Sequence, residues 1–181
     1  MKLAIVQVGD PVLRQAARPL SAEDIAAPET QQLIEHMRET MYAAPGVGLA
    51  APQIGLPLQL AVIEDKPEYM REIAPEQLAA RGRTPVEFLV LINPRIVERS
   101  GEEIAFFEGC LSLPGYSATV RRARKVAVEY LDRHGRPQRM EAEGWPARIL
   151  QHEIDHLLGK LYIDRMDSRT FTTLANLNRK G

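Results

Sequence analysis

The chain predicts an α+β fold with antiparallel sheets, and three observations carry that reading. Strand-like segments cluster in the middle of the sequence, helical stretches lie on either side of them, and no regular βαβ alternation links the two. Residues 29–43 read as the first helix, near the N-terminus: Leu33, Ile34, Met37 and Met41 recur at helical spacing, Thr30 or a neighbour caps it, and Pro45-Gly46 ends it. Gly46 to Gln53 follows as a tight loop where main chain can approach a ligand closely. Leu58 to Glu64 reads as a strand, and the charged, proline-punctuated stretch 65–85 as an insertion with a short helix at Glu76 to Arg81. Val86 to Ile92 is a strand ending at Asn93-Pro94, followed by Arg95 to Ser100 and Glu103 to Phe107. Val126 to Leu131 and Pro137 to Glu143 form a hairpin with its turn near His134. From Pro146 the pattern is helical again through Ala147, Ile149, Leu150, Ile154, Leu157 and Leu158, with Gly159 just past the end. A short C-terminal helix is expected at Ser168 to Asn178.

With 181 residues the chain is expected to form one catalytic domain, 1–181. Its 45% hydrophobic and 26% charged residues are ordinary soluble-globular composition and exclude a disordered class. The balance of 23 basic against 24 acidic residues leaves a net charge of −1, which argues against a polyanion as the main partner. No nucleic-acid-binding motif is found. The apolar start Leu3-Ala4-Ile5-Val6 is too short for a signal peptide or a membrane span, and Phe88 to Ile92 suits a buried strand. The expected setting is therefore a bacterial cytoplasm, or an organelle for a processed mature form, with no membrane partner. Monomer and homodimer are equally compatible with the sequence.

The chemistry concentrates in His152-Glu153-Ile154-Asp155-His156, an HExxH pattern inside the second long helix. Residues four apart on a helix lie about 40° apart around its axis, so both imidazoles face one point and can grip one divalent ion. Glu153, one step round, lies beside that ion, placed to exchange protons with a water. A catalytic centre needs a third protein ligand. The longer HExxHxxGxxH pattern fails, since residue 162 is Tyr162, and no His or Glu follows His156. Asp164 and Asp167 remain as weaker downstream candidates, and Cys110 upstream is the natural choice. Cys110 is the only cysteine, so an intrachain disulfide is impossible; it is core filler, a reactive thiol or a ligand. The flanking Gly109, Pro114 and Gly115 place it at a loop or strand end, which weakens the core reading. One thiolate with two imidazoles suits Zn²⁺ or Fe²⁺ and is poor for Mg²⁺ or Ca²⁺. His36 and His134 are assigned to a solvated helix face and an exposed turn.

Three segments, Gly46–Gln53 (GVGLAAPQ), Glu108–Ser112 (EGCLS) and Gln151–His156 (QHEIDH), together resemble the motifs of the peptide deformylase family, in the same order and at similar spacing. The resemblance implies antiparallel sheets around a central helix carrying HExxH, and Cys110, His152 and His156 as metal ligands. It implies Fe²⁺, replaceable by Zn²⁺, Ni²⁺ or Co²⁺. The implied reaction removes the N-formyl group from the initiator methionine of nascent peptides and releases formate. In it an ion-activated water is the nucleophile, Glu153 the general base and then acid, and the Leu111 N–H and Gln53 amide the oxyanion donors. By the same analogy Val47, Gly48 and Gly109 pair with an extended peptide backbone, and a pocket beside the helix holds the methionine side chain. The pocket positions Trp145 and Arg148 are aliphatic in common bacterial members; with Met166 to Thr172 they look more like the organellar-type subgroup. The resemblance also points to the ribosome near its exit tunnel as a partner, although the tail after Thr173 is short for a docking helix. Asp155 is expected to pair structurally with Arg122 or Arg121. The rival readings are an HExxH peptidase using Asp164 or Asp167, which leaves Cys110 and Gln53 without roles, and a non-enzymatic binding relic.

Overall fold

The computed structural model describes residues 1–179; the last two residues of the expected 1–181 unit lie outside the described residues. In chain order the elements are α1 (Ala22–Ala26), α2 (Pro28–Ala43), β1 (Gly48–Ala50), β2 (Leu60–Asp65), α3 (Pro75–Arg81), β3 (Val86–Arg99), β4 (Glu103–Cys110), β5 (Leu113–Ala123), β6 (Lys125–Leu131), β7 (Pro137–Glu143), α4 (Trp145–Leu157), β8 (Thr172–Thr173) and α5 (Leu174–Asn178). They form a five-stranded sheet, β1-β2-β3-β6-β7, and a three-stranded one, β4-β5-β8, with antiparallel pairing throughout. The α+β class with antiparallel sheets is thus the observed one.

Period-two alternation in β2 sets the layering. Leu60 and Val62 pack with Ile34, Met37 and Met41 of α2 on one side of the sheet. Ala61 and Ile63 pack with Ala147, Leu150 and Ile154 of α4 on the other. A third cluster, Leu113, Ala118, Val120, Leu161 and Tyr162, backs the smaller sheet. The α4 helix starts where Gly144, at φ 69°, turns the chain so that Trp145 N–H donates to Gly82 O at 3.2 Å. A Cβ at Gly144 would lie 2.6 Å from that same carbonyl, so both conformation and space require glycine. Gln151 then fastens the helix to β5 through the N–H and carbonyl of Ala123, at 3.1 and 2.9 Å.

Several boundaries differ from those read in the sequence. The Gly46–Gln53 loop contains β1, paired with β2 from Gly48↔Ile63 to Ala50↔Ala61, and then a 3-10 turn, Ala51–Ile54. The strand expected to stop at Asn93-Pro94 continues through a register shift, because Asn93 tolerates φ 49° and its side chain brackets the N–H and carbonyl of Leu20, each at 2.9 Å. Strand β5 was hidden by Pro114-Gly115 and the charged pair Arg121-Arg122, which break the alternation. The final helix is shorter than Ser168–Asn178: Ser168–Thr170 is a 3-10 turn, and Thr172–Thr173 pairs with β5 before α5 begins. Helix α2 has Ala27, not Thr30, at its N-cap and uses Pro28 in its first turn. The unanticipated α1 is held by a capping box between Ser21 and Asp24. Among the described residues no helix is long and apolar enough to cross a membrane.

Candidate metal centre

Helix α4 projects His152 and His156 towards the end of β4, where Cys110 closes a register shift before the turn into β5. One ligand atom from each of Cys110, His152 and His156 lies within 4.8 Å of the others. Cys110 Sγ is 3.4 Å from His156 Nε2. The alternatives downstream are engaged elsewhere: Asp164 accepts from Arg14 at 2.5 Å and from Leu161 N–H at 2.8 Å, and Asp167 accepts from Arg169 N–H at 3.0 Å. Tyr162, where the longer motif would place a third histidine, stacks on the His152 ring at 6.3 Å. His134 is exposed; His36 is half-buried on α2, not on a fully solvated face, and neither joins the cluster.

The surroundings suit these three groups to a divalent ion. Burial holds the His156 pKa well below its usual value, so its imidazole is neutral and ready to donate a lone pair. His152 Nδ1 lies 2.8 Å from Glu108 Oε1, which leaves its Nε2 facing the cluster. Glu108 is buried, yet donors from Arg122 and His152 outweigh that burial and hold its carboxyl well below the usual range. It accepts from Arg122 Nε and Nη2 at 2.9 Å each and from Arg148 Nη1 at 2.5 Å. Asp155 pairs with Arg122, as expected, at 2.6 Å, and also with Arg165 through Nε at 2.7 Å and Nη2 at 3.0 Å.

Glu153 stands apart from this ion-paired chain. Its Oε2 is buried and has no hydrogen-bond partner among the described residues. Burial pushes its pKa up to about 7, where a carboxyl can both take and return a proton near neutrality. Gln53 is buried in the 3-10 turn; its Oε1 accepts from Ala50 N–H at 3.0 Å, which aims Nε2 at Ser112 Oγ (3.2 Å) and Cys110 Sγ (3.5 Å). A cavity of about 590 Å³ opens over the centre and is lined by Val47, Gly48, Gln53, Gly109, Cys110, Leu111, His152 and Glu153. Trp145 and Arg148 also border it. A larger cavity, about 810 Å³, is lined by none of the residues selected from the sequence.

Two residues with evident work in this site had no role assigned from sequence, Glu108 and Arg165. A signal existed for the first: a ligating imidazole usually gives its second N–H to a carboxylate, and Glu108 lies two residues from the cysteine. Arg165 carried none, since it approaches Asp155 only after the chain reverses beyond α4.

The family model described as polypeptide deformylase matches residues 2–172. The chain is 47% identical over 174 residues to peptide deformylase 1A, chloroplastic, of Solanum lycopersicum, covering 96% of this chain and 63% of that protein. It is 48% identical over 171 residues to peptide deformylase 3 of Streptomyces avermitilis, covering 94% and 74%. It thus spans under two thirds of the tomato protein's length. Among solved structures, the Synechococcus elongatus peptide deformylase in complex with actinonin matches with a TM-score of 0.77 at 45% identity, covering 92% of this chain and 82% of that one. The Met-Ala-Ser-bound class I type b peptide deformylase of Acinetobacter baumannii matches with a TM-score of 0.81 at 34% identity, covering 92% and 99%.

Proposed function

The chain belongs to the peptide deformylase family, and we propose that it hydrolyses the N-formyl group from the initiator methionine of nascent peptides, with water consumed and formate released. One observation carries this reading. Three metal-ligating atoms, from Cys110, His152 and His156, gather within 4.8 Å of one another at the floor of a cavity, beside a buried carboxylate that has an oxygen without a partner among the described residues. That a relative is bound to Met-Ala-Ser supports a peptide beginning with methionine as the occupant.

A divalent ion held by the three ligands supplies Lewis-acid polarisation and brings the pKa of a water towards neutrality. Fe²⁺ is the expected ion, with Zn²⁺, Ni²⁺ or Co²⁺ as substitutes. Glu153 accepts the proton of the attacking water as the new C–O bond forms at the formyl carbon. The electron pair of the formyl C=O moves onto oxygen, where the Nε2–H of Gln53 and the main-chain N–H of Leu111 meet the charge. As the C=O re-forms, the C–N bond breaks and Glu153 returns its proton to the departing amine, leaving formate and a free N-terminal methionine. Main chain at Val47, Gly48 and Gly109 pairs with the extended peptide, and the methionine side chain enters the cavity near Trp145.

In this reading residues 1–181 act as one catalytic domain, monomeric or homodimeric, with the HExxH helix at its centre and the nascent chain met near the ribosomal exit. Its compartment is the bacterial cytoplasm, or an organelle for a mature form; the relatives include a bacterial protein and a chloroplastic one. The test is formate release from formyl-Met-Ala-Ser by the Ni²⁺- or Fe²⁺-loaded protein, run beside an internally quenched peptide. Formate appearing one-for-one with free N-terminal methionine is expected. Internal cleavage without formate would overturn the reading in favour of a peptidase.

A further inference from the structure

We propose that Arg148 is a positioning residue that fixes His152 through Glu108, and not a charge read by the substrate; this rests on the metal-centre reading above. Arg148 borders the cavity, yet it is only 4% exposed and its guanidinium is held in a cage of acceptors. Nη1 donates to Glu108 Oε2 at 2.5 Å and to the Val120 carbonyl at 2.9 Å, while Nη2 donates to the Ile104 carbonyl at 2.6 Å.

The carboxylate of Glu108 explains why a second arginine is needed. Arg122 grips it side-on, one N–H to each oxygen, at 2.9 Å. A single fork of this kind leaves the carboxylate free to rock about the axis joining the two groups. Arg148 adds a donor on Oε2, and His152 Nδ1 faces Oε1 at 2.8 Å. An ionised carboxylate offers about four lone-pair sites, so four donors fill it. Locked in this way, Glu108 holds Nδ1 of His152 and so aims Nε2 at the cluster.

Arg148 also lies one helical turn before His152, and the two carbonyls it holds belong to β4 and β5. It therefore ties the helix that carries the imidazoles to the strand that carries Cys110. The planar guanidinium lies 5.4 Å from the Phe106 ring centroid and 5.7 Å from that of Trp145, contacts a lysine ammonium would not reproduce together with the fork.

The experiment compares wild type with Arg148→Met and Arg148→Lys in two readouts. One is Ni²⁺ affinity, measured by chelator competition on protein whose melting transition is cooperative. The other is KM and kcat for formyl-Met-Ala-Ser at saturating metal. Arg148→Met should weaken Ni²⁺ binding by about ten- to a hundredfold, as loss of an outer partner of a ligand does, with KM within about twofold of wild type. Arg148→Lys should recover part of that loss. Unchanged Ni²⁺ affinity with a KM raised about tenfold would overturn the proposal and make Arg148 a substrate contact. If Arg148→Met does not fold, Arg148→Lys decides alone, unchanged Ni²⁺ affinity again being the overturning result. A wild type that releases no formate would sink the functional reading, while the affinity comparison would still judge Arg148.

Discussion

Gly48 packs directly on the carboxyl arm of Glu153: a Cβ at residue 48 would stand 2.7 Å from Glu153 Cδ and 2.9 Å from Cγ. The glycine is required by space rather than by backbone conformation, since its φ is not positive. Gly48→Ala should therefore displace the carboxylate and leave the β1–β2 pairing intact. We expect about a hundredfold loss in kcat/KM, the usual cost of misplacing a reacting group by about 1 Å, with overpacking of about 1–3 kcal/mol in urea melts. Wild-type kinetics in Gly48→Ala would remove Glu153 from the proton-transfer role.

Glu153→Gln keeps the shape of the side chain and removes its basicity. Because Glu153 is not among the clustered ligand atoms, its metal content should match wild type. Formate release should fall by about 10²–10⁴-fold, the range for a lost general base. Metal loss on substitution would instead mark Glu153 as a ligand, and atomic absorption distinguishes the cases.

Stripping the metal should be visible in stability as well as activity. A ligand at a thousandfold its Kd stabilises by about 4 kcal/mol, which for a chain of this size is about 8–16 °C in Tm. Chelator-treated protein should melt lower by that order and recover when Ni²⁺ is restored. Cys110→Ala, left with two imidazoles, should show little of the recovery. A Ni²⁺-induced shift of wild-type size in Cys110→Ala would remove the thiol from the ligand set.

Asp155→Asn tests the ion-paired chain behind the centre. Arg122, 3% exposed at its side chain, would keep Glu108 but lose a charged acceptor at 2.6 Å. Breaking a buried pair costs about 3–5 kcal/mol, and the retained Glu108 contact puts this case near the lower end, about 3 kcal/mol. Urea denaturation should show a lower midpoint at an unchanged m-value. A shift under about 0.5 kcal/mol, typical of exposed pairs, would show that Asp155 contributes no more than a surface charge.

What the sequence disclosed follows the range of each signal. HExxH is local, so helix α4 and its two imidazoles could be read from five consecutive residues. The short strand in Gly48–Ala50 and the full length of β5 could not, because each is fixed by pairing with a partner strand and their prolines and glycines imitate turns. Arg148 illustrates the deeper limit. Its place in a helical turn facing the cavity was legible, but where its guanidinium points depends on Glu108 and on carbonyls more than 25 residues upstream. Charged side chains satisfy themselves through tertiary contacts, which leave no periodic trace.

Gln53 supplies the last prediction, in which stability and rate separate. Its Oε1 accepts from Ala50 N–H at 3.0 Å, so the amide cannot flip without stranding a buried donor. That anchor directs Nε2 forward, with Ser112 Oγ at 3.2 Å taking one N–H and Cys110 Sγ at 3.5 Å facing the other. The N–H on the sulfur is held weakly, since sulfur is a poor acceptor, and under the proposed mechanism it would turn to a charged oxygen forming beside Cys110. Gln53→Ala should cost about 1–3 kcal/mol of stability through the unpaired Ala50 N–H. It should also cost about 10²–10³-fold in kcat through the missing oxyanion donor. Ser112→Ala removes only the neighbouring acceptor and should leave kcat within about fivefold, since a neutral hydrogen bond is worth about 1 kcal/mol or less here. Equal kcat losses in both variants would mean that Gln53 acts by holding Ser112, and that the oxyanion is met by the Leu111 N–H without it.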